Sequence, residues 1–341
     1  MAAKTRTLFL IPSLLALLIA AVVGSLGIGR YPVLVRDIGA IVLSSSWGSS
    51  LFFDDTREII ILLVRMPRVL LATMAGAGLA MAGAAMQGVF RNPLVGPEVV
   101  GVSMGATFGG VLSIMLGWSM IATVGMAFLF GAFALVSAFS INQLSGKSGI
   151  LGLVLAGVII GSLFGALTGI CQYLANPESN LPGIVYWLMG SFASADYSRV
   201  SVMTGAMLIS GTGLLALSWQ INLLSLGETD ASALGVNVNR LRWLVVALVA
   251  LIVAAQVSVS GGVGWVGLVI PHLARMLVGP EHSRLIPVSG LLGGLYLLLM
   301  DDIARSLTTQ EIPISIMTSI VGTPIFLVLF LKLQGKGWST D

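Results

Sequence analysis

Ten apolar runs recur along the chain, at about 8–28, 66–88, 97–116, 119–140, 149–172, 197–219, 241–260, 263–278, 285–306 and 313–332, and none has an Asp, Glu, Lys or Arg in its middle. A helix needs ~20 apolar residues to cross a bilayer. Backbone groups in hydrocarbon must bond within their own segment, so each run predicts a helix rather than a strand. The eighth run is short and begins beside Ser260-Gly261-Gly262, which leaves a nine-span reading open. The first follows Lys4 and Arg6 and stays apolar for about 21 residues. That exceeds the roughly 7–15 residues of a signal-peptide core, and no small-x-small cleavage site ends it, so it predicts a transmembrane helix.

The polar positions between the runs set an orientation. With the N-terminus inside, the inner loops hold ten basic residues (Lys4, Arg6, Arg91, Lys147, Arg240, Arg242, Arg275, Arg284, Lys332, Lys336) against five acids. The outer side holds seven basic residues and nine acids. This has the sign of the positive-inside rule, and an even number of spans puts both termini in the cytoplasm. Composition agrees: 57% of the 341 residues are hydrophobic and 9% charged, against about 25% charged in soluble proteins. The mean hydropathy is +1.02. The chain is therefore predicted to be an all-α integral membrane protein, one transmembrane domain over 1–341.

Several chemistries are disfavoured at once. The single Cys171 rules out an internal disulfide framework, and His272 and His282 are too few for a histidine metal centre. No metal site is expected. No basic patch supports nucleic-acid binding. Gly146-Lys147-Ser148 resembles the end of a phosphate-binding loop, but Ile141 stands where its first glycine belongs and no strand precedes it. No nucleophile–base set is visible, so the chain is not expected to be an enzyme.

Glycine spacing carries a different message. Gly157, Gly161, Gly165 and Gly169 recur every four residues in the fifth run, as do Gly101, Gly105 and Gly109 in the third; Ala80, Ala84 and Gly88 form a weaker stripe. Four-residue spacing places them on one helix face, where small residues let another backbone come close. Helix packing and the lining of a wide pathway are both consistent with such a face.

Two stretches between the runs predict short helices. The outer stretch 173–196 contains the apolar Ile184-Val185-Tyr186-Trp187-Leu188-Met189, too short to span, which predicts an interfacial helix at about 182–190 with Tyr186 and Trp187 as interfacial aromatics. In the longest inner loop, 220–242, Ser225-Leu226-Gly227-Glu228 has the form of a capping box, and Gly235 is a natural stop. A helix of about nine residues is predicted there, carrying Leu226, Glu228, Asp230, Ala231 and Leu234. So short a helix is marginal alone and calls for a surface to rest on. A solvated connector is the alternative.

Several stretches resemble the permease family of binding-protein-dependent ABC importers for iron-siderophores, haem and cobalamin, the FecCD type or type II importers. They are Arg65-Met66-Pro67-Arg68-Val69-Leu70 with Gly83, Gln87 and Phe90-Arg91-Asn92-Pro93-Leu94, then Gly101-Val102-Ser103-Met104-Gly105-Ala106, then Trp187-Leu188-Met189-Gly190-Ser191. The series continues with Leu224-Ser225-Leu226-Gly227-Glu228, Ala233-Leu234-Gly235-Val236, Gly267-Leu268-Val269-Ile270-Pro271-His272-Leu273-Ala274-Arg275, Gly279-Pro280, Asp302-Ile303-Ala304-Arg305 and Pro313-Ile314. The likeness runs over nearly the whole chain.

The resemblance implies a ten-helix permease bundle, a second permease copy, two cytoplasmic ATPase subunits and a periplasmic binding protein, in the inner membrane. It implies no cofactor in this chain, with ATP and magnesium belonging to the ATPase. The 225–235 segment (Ser225, Leu226, Gly227, Glu228, Asp230, Ala231, Leu234, Gly235) then corresponds to the coupling helix. Arg65, Arg68 and Arg305 correspond to arginines that receive carboxylates of the binding protein; local pairing with Asp301 or Asp302 is the alternative. A ferric siderophore is the first expectation for the substrate, with haem, cobalamin and molybdate or tungstate open. A secondary transporter or channel is the rival class. Carriers keep ionisable groups near mid-membrane, whereas here Glu98, Arg275, Asp301 and Asp302 lie toward run ends.

Overall fold

The computed structural model describes residues 2–29, 31, 33, 38, 39, 41, 56–144 and 150–334. Much of the predicted outer loop 29–64, the Gly146-Lys147-Ser148 stretch, Lys336 and Asp341 lie outside the described residues.

All regular elements among the described residues are helices. In chain order they are α1 (Ala2–Gly27), α2 (Thr56–Val89), α3 (Val102–Met115), α4 (Met120–Leu144), α5 (Ile150–Leu174), α6 (Leu181–Met189), α7 (Tyr197–Leu226), α8 (Glu228–Ala233), α9 (Val238–Ser260), α10 (Val266–Val278), α11 (His282–Ser306) and α12 (Ile314–Gln334). Seven of them (α1, α2, α4, α5, α7, α9 and α11) are long and apolar enough to cross a bilayer, and α3, α10 and α12 are shorter apolar helices. These ten fall on the ten predicted runs; the eighth is the 13-residue α10, a helix that is shorter than the seven long enough to cross. Two helices outrun their predicted ends by seven residues or more. α2 starts at Thr56 and passes through a π-helical turn, Ile60–Arg65, while α7 passes through another, Met207–Gly211, and reaches Leu226.

α2 is the centre of the bundle. It touches α7, α9, α10 and α11, and α1 packs on the same group. Ala72, Ala75, Ala80, Ala82, Ala84 and Ala85 are all fully buried in it. With lipid outside, no hydrophobic drive pulls helices together, so close backbone approach through small residues does the work. A Cβ on Gly83 would lie 1.8 Å from the Gly267 carbonyl oxygen of α10, and one on Gly76 would lie 2.2 Å from the Gly293 oxygen of α11. A side chain at either position would force the facing backbone to shift.

α3, α4 and α5 form a second group, joined to the first through α9. Phe108, Phe130 and Phe164 meet there with ring centroids 5.1, 5.5 and 6.1 Å apart. Such aromatic pairs contribute about 0.5–1.5 kcal/mol each beyond area burial. The third run's glycines pack as expected: Cβ atoms at Gly105 and Gly109 would meet carbonyl oxygens of α4 at 2.6 and 2.3 Å.

The short α3 and α10 are each preceded by irregular backbone. One stretch holds a 3-10 turn, Pro97–Val100; the other is 261–265, where Trp265 has φ of 71°. The two meet, with the Pro97 ring 2.5 Å from where a Gly267 Cβ would stand. Gly267 also abuts Gly83, six residues before the end of α2, or about 9 Å inside it by helical rise. Irregular backbone at such depth is tolerated where it is protein-covered or lines a cavity. Here Glu98, Gly264, Trp265 and Leu268 line a cavity of about 290 Å³.

Candidate functional site

Two ends of the bundle carry the polar chemistry, and the apolar helices between them separate the two.

At the predicted inner end, α7 runs straight into the 225–235 segment. Here the structure departs from the capping-box reading. Ser225 and Leu226 form the last turn of α7, and the Ser225 hydroxyl donates to the Asn222 carbonyl instead of capping anything. The chain then breaks at Gly227, whose φ of 142° suits glycine, and α8 is six residues long rather than about nine. Serine lost the cap because α7 continued through it; the break fell to the one residue free of a Cβ. The stop at Gly235 is as expected, with φ of 84°.

α8 stands out from the bundle. Ala231 is its only buried residue and anchors it. Glu228 pairs with Arg242 of α9, while Asp230 is exposed. Leu226 and Leu234 flank it at 63% and 61% exposure. Two large apolar side chains are thus held open at the polar end of the bundle, on either side of an acidic turn. A second inner contact was not visible in the sequence. Asn222 Oδ1 of α7 accepts from the backbone N–H of His282 at 2.6 Å and lies 3.0 Å from its Nδ1, capping the start of α11 from another helix. Likewise Gln87 of α2 accepts from Arg275 of α10 at 2.9 Å.

At the opposite end the three predicted arginines do come together, but they are buried, at 4%, 7% and 7% exposure for Arg65, Arg68 and Arg305. Each is satisfied inside the chain. Arg68 donates to both carboxylate oxygens of Asp301 at 2.9 Å and to Glu311 at 2.8 Å. Arg305 donates to Asp302 at 2.5 Å and to the Ser25 carbonyl at 2.6 Å; Ser25 in turn donates to Asp302 at 2.6 Å. Arg65 donates to the carbonyls of Leu26 and Tyr31 at 2.7 and 2.5 Å. The network ties α1, α2 and α11 together at one end. Arg65 and Arg68, three apart in sequence, turn to different partners across the π-helical turn that ends at Arg65. Local pairing, the alternative left open by the sequence, is what this conformation contains.

The glycine stripe of α5 splits. A Cβ on Gly157 would meet the Val99 carbonyl at 2.2 Å and one on Gly161 would meet Met104 at 3.7 Å, so these positions are packing contacts. Gly165 and Gly169 have nothing within 4 Å and belong to an open face beside the exposed Leu163 and Ile170. The interfacial helix exists as α6, with Tyr186 exposed and bonded to Ser191 at 2.8 Å. Trp187 is not interfacial: it is buried with its ring over Gly110, 2.2 Å from where a Cβ would stand. The small residue beneath it, on another helix, is what allows the indole in.

Comparison with known proteins places this arrangement. Residues 17–332 match the model of the FecCD transport family. The molybdate import system permease protein MolB of Haemophilus influenzae is 48% identical over 327 residues, covering 95% of each chain. The cobalamin import system permease protein BtuC of Halobacterium salinarum is 38% identical over 278 residues, covering 81% of this chain and 74% of that one. A solved structure described as an inward-facing conformation of a metal-chelate type ABC transporter matches with a TM-score of 0.85 at 44% identity, covering 95% of this chain and 99% of the other.

Proposed function

Because the chain belongs to the FecCD transport family and is the permease of an ABC importer, we propose that α8 is where an ATPase subunit grips it. The open Leu226 and Leu234 beside Glu228 and Asp230 support this reading. A six-residue helix holds no stable shape unaided, so a groove on the ATPase would complete it. The end bearing α8 then faces the cytoplasm, in accord with its basic loops, and the Arg65–Arg68–Arg305 end faces the binding protein. Docking there would proceed by exchange: carboxylates of the binding protein compete with Asp301, Asp302 and Glu311 for the arginines. A second copy would sit against the open α5 face around Gly165 and Gly169. Cysteine pairs between position 230 and the ATPase surface should crosslink, and their failure to do so in the assembled importer removes α8 from the interface.

For the substrate we propose a tetrahedral oxyanion of the molybdate class. The observation that carries it is the 48% identity to a molybdate permease over 95% of both chains. The iron-siderophore expectation drew on the family at large and is weaker on this count. A metal chelate is the second reading, favoured by the structural match described as metal-chelate type. Proteoliposomes holding this permease, its ATPase and its binding protein decide between them. Uptake of molybdate that a tenfold excess of ferric siderophore leaves unchanged supports the first; uptake of the ferric chelate without molybdate uptake overturns it.

A further inference from the structure

Between the ends of α7 and α9 nearest α8 lies an open groove of about 520 Å³. Its walls are apolar, from Leu217 of α7 to Leu241 and Leu244 of α9, and its rim is polar, with Asn237 and Arg240. Trp219 stands at the edge, largely exposed. No acidic residue lines the groove. Arg240 is exposed and has no ion-pair partner among the described residues, whereas its neighbour Arg242 is taken up by Glu228. The apolar wall also continues away from the rim. Leu208, Leu215 and Trp219, spaced seven and four along α7, are all exposed and lead toward the middle of the membrane.

We propose that this groove binds one anionic phospholipid of the cytoplasmic leaflet, its phosphate on Arg240 and an acyl chain along the leucines. The proposal rests on the orientation given above, which puts this end in the cytoplasm. Three features select the occupant. An unpaired guanidinium with no competing carboxylate complements an anion, and basic pockets between transmembrane helices on this side suit acidic head groups. A tryptophan at the groove's edge suits the depth where head group meets chain. The apolar track along α7 has no use for free phosphate and lies too deep for a soluble protein. Leu234 and Gly235 line the same groove, so a bound lipid touches the strap behind α8 and steadies it.

The test uses the intact permease without its ATPase, so that it stands apart from the docking reading. Detergent-purified protein is titrated with phosphatidylglycerol, phosphatidylcholine or inorganic phosphate and read by native mass spectrometry. Phosphatidylglycerol should bind in preference to phosphatidylcholine, with phosphate not competing. Arg240→Gln should weaken phosphatidylglycerol binding by about five-fold, the worth of one basic contact at a membrane surface. Arg240→Lys should retain most of it, which a general loss of folding would not. Equal binding of both lipids, an unchanged Arg240→Gln variant, or displacement of the lipid by phosphate overturns the proposal.

Discussion

Arg68→Leu tests whether the charged end of the bundle is a structural clamp before it is anything else. The Arg68 and Asp301 side chains are 9% and 2% exposed and share two hydrogen bonds of 2.9 Å. Removing the arginine strands the Asp301 carboxylate, for which the remaining cation, Arg305 Nε, is 3.9 Å away and outside hydrogen-bond range. Breaking a buried pair by deleting one partner costs about 3–5 kcal/mol. The Glu311 arm adds little, ~0–1 kcal/mol, because that side chain is 29% exposed and can turn to solvent. The double variant Arg68→Leu/Asp301→Leu leaves no orphaned charge and should recover most of the loss, with a coupling of roughly 2–3 kcal/mol. Unfolding of the purified permease in mixed micelles by increasing dodecyl sulfate, followed by tryptophan fluorescence, reads all three variants. An arginine that served only to receive a partner would behave differently: Arg68→Leu would unfold like the parent within about 0.5 kcal/mol, and the two substitutions would add. That outcome would refute the clamp.

Other consequences are as direct. Gly83→Ala pushes a methyl group against the Gly267 carbonyl at the crossing of α2 and α10; overpacking of this kind costs about 1–3 kcal/mol, and the same micelle assay should show it. Asn222→Ala removes the interhelical cap on His282 and should cost about 1 kcal/mol, the worth of a helix cap. Glu228→Gln should leave stability within about 1 kcal/mol, since the 58%-exposed Glu228 is screened by solvent and glutamine keeps an oxygen that the buried Arg242 can donate to. In the reconstituted importer the same change should lower uptake per ATP hydrolysed, and unaltered stoichiometry would take Glu228 out of the coupling contact.

On the docking proposed above, the charged end bears on how a binding protein is received. With Arg65, Arg68 and Arg305 internally satisfied, none of these three is a bare cation that could steer an acidic partner from a distance. Recognition would then be gated by exchange, in which incoming carboxylates displace internal ones, and salt would affect the rate less than for an exposed pair.

The properties readable from the chain alone are those set by short-range physics. Length and apolarity place ten apolar helices, including the short α10, because each helix satisfies its own backbone wherever lipid surrounds it. Gly235 ends the segment that carries α8, and Leu181–Met189 forms a short helix, for equally local reasons. Where two local rules competed at Ser225–Gly227, the sequence pattern chose the cap and the fold chose the glycine, since α7 had room to run on. The rest needed the tertiary structure. Arg68 meets Asp301 across 233 positions, and Ser25 meets Arg305 across 280. No spacing rule joins residues that far apart. The same holds for which glycines touch backbone, for Trp187 lying over Gly110, and for the lipid-sized groove between α7 and α9. Periodicity states which face of a helix is small or apolar, and only packing decides what stands opposite it.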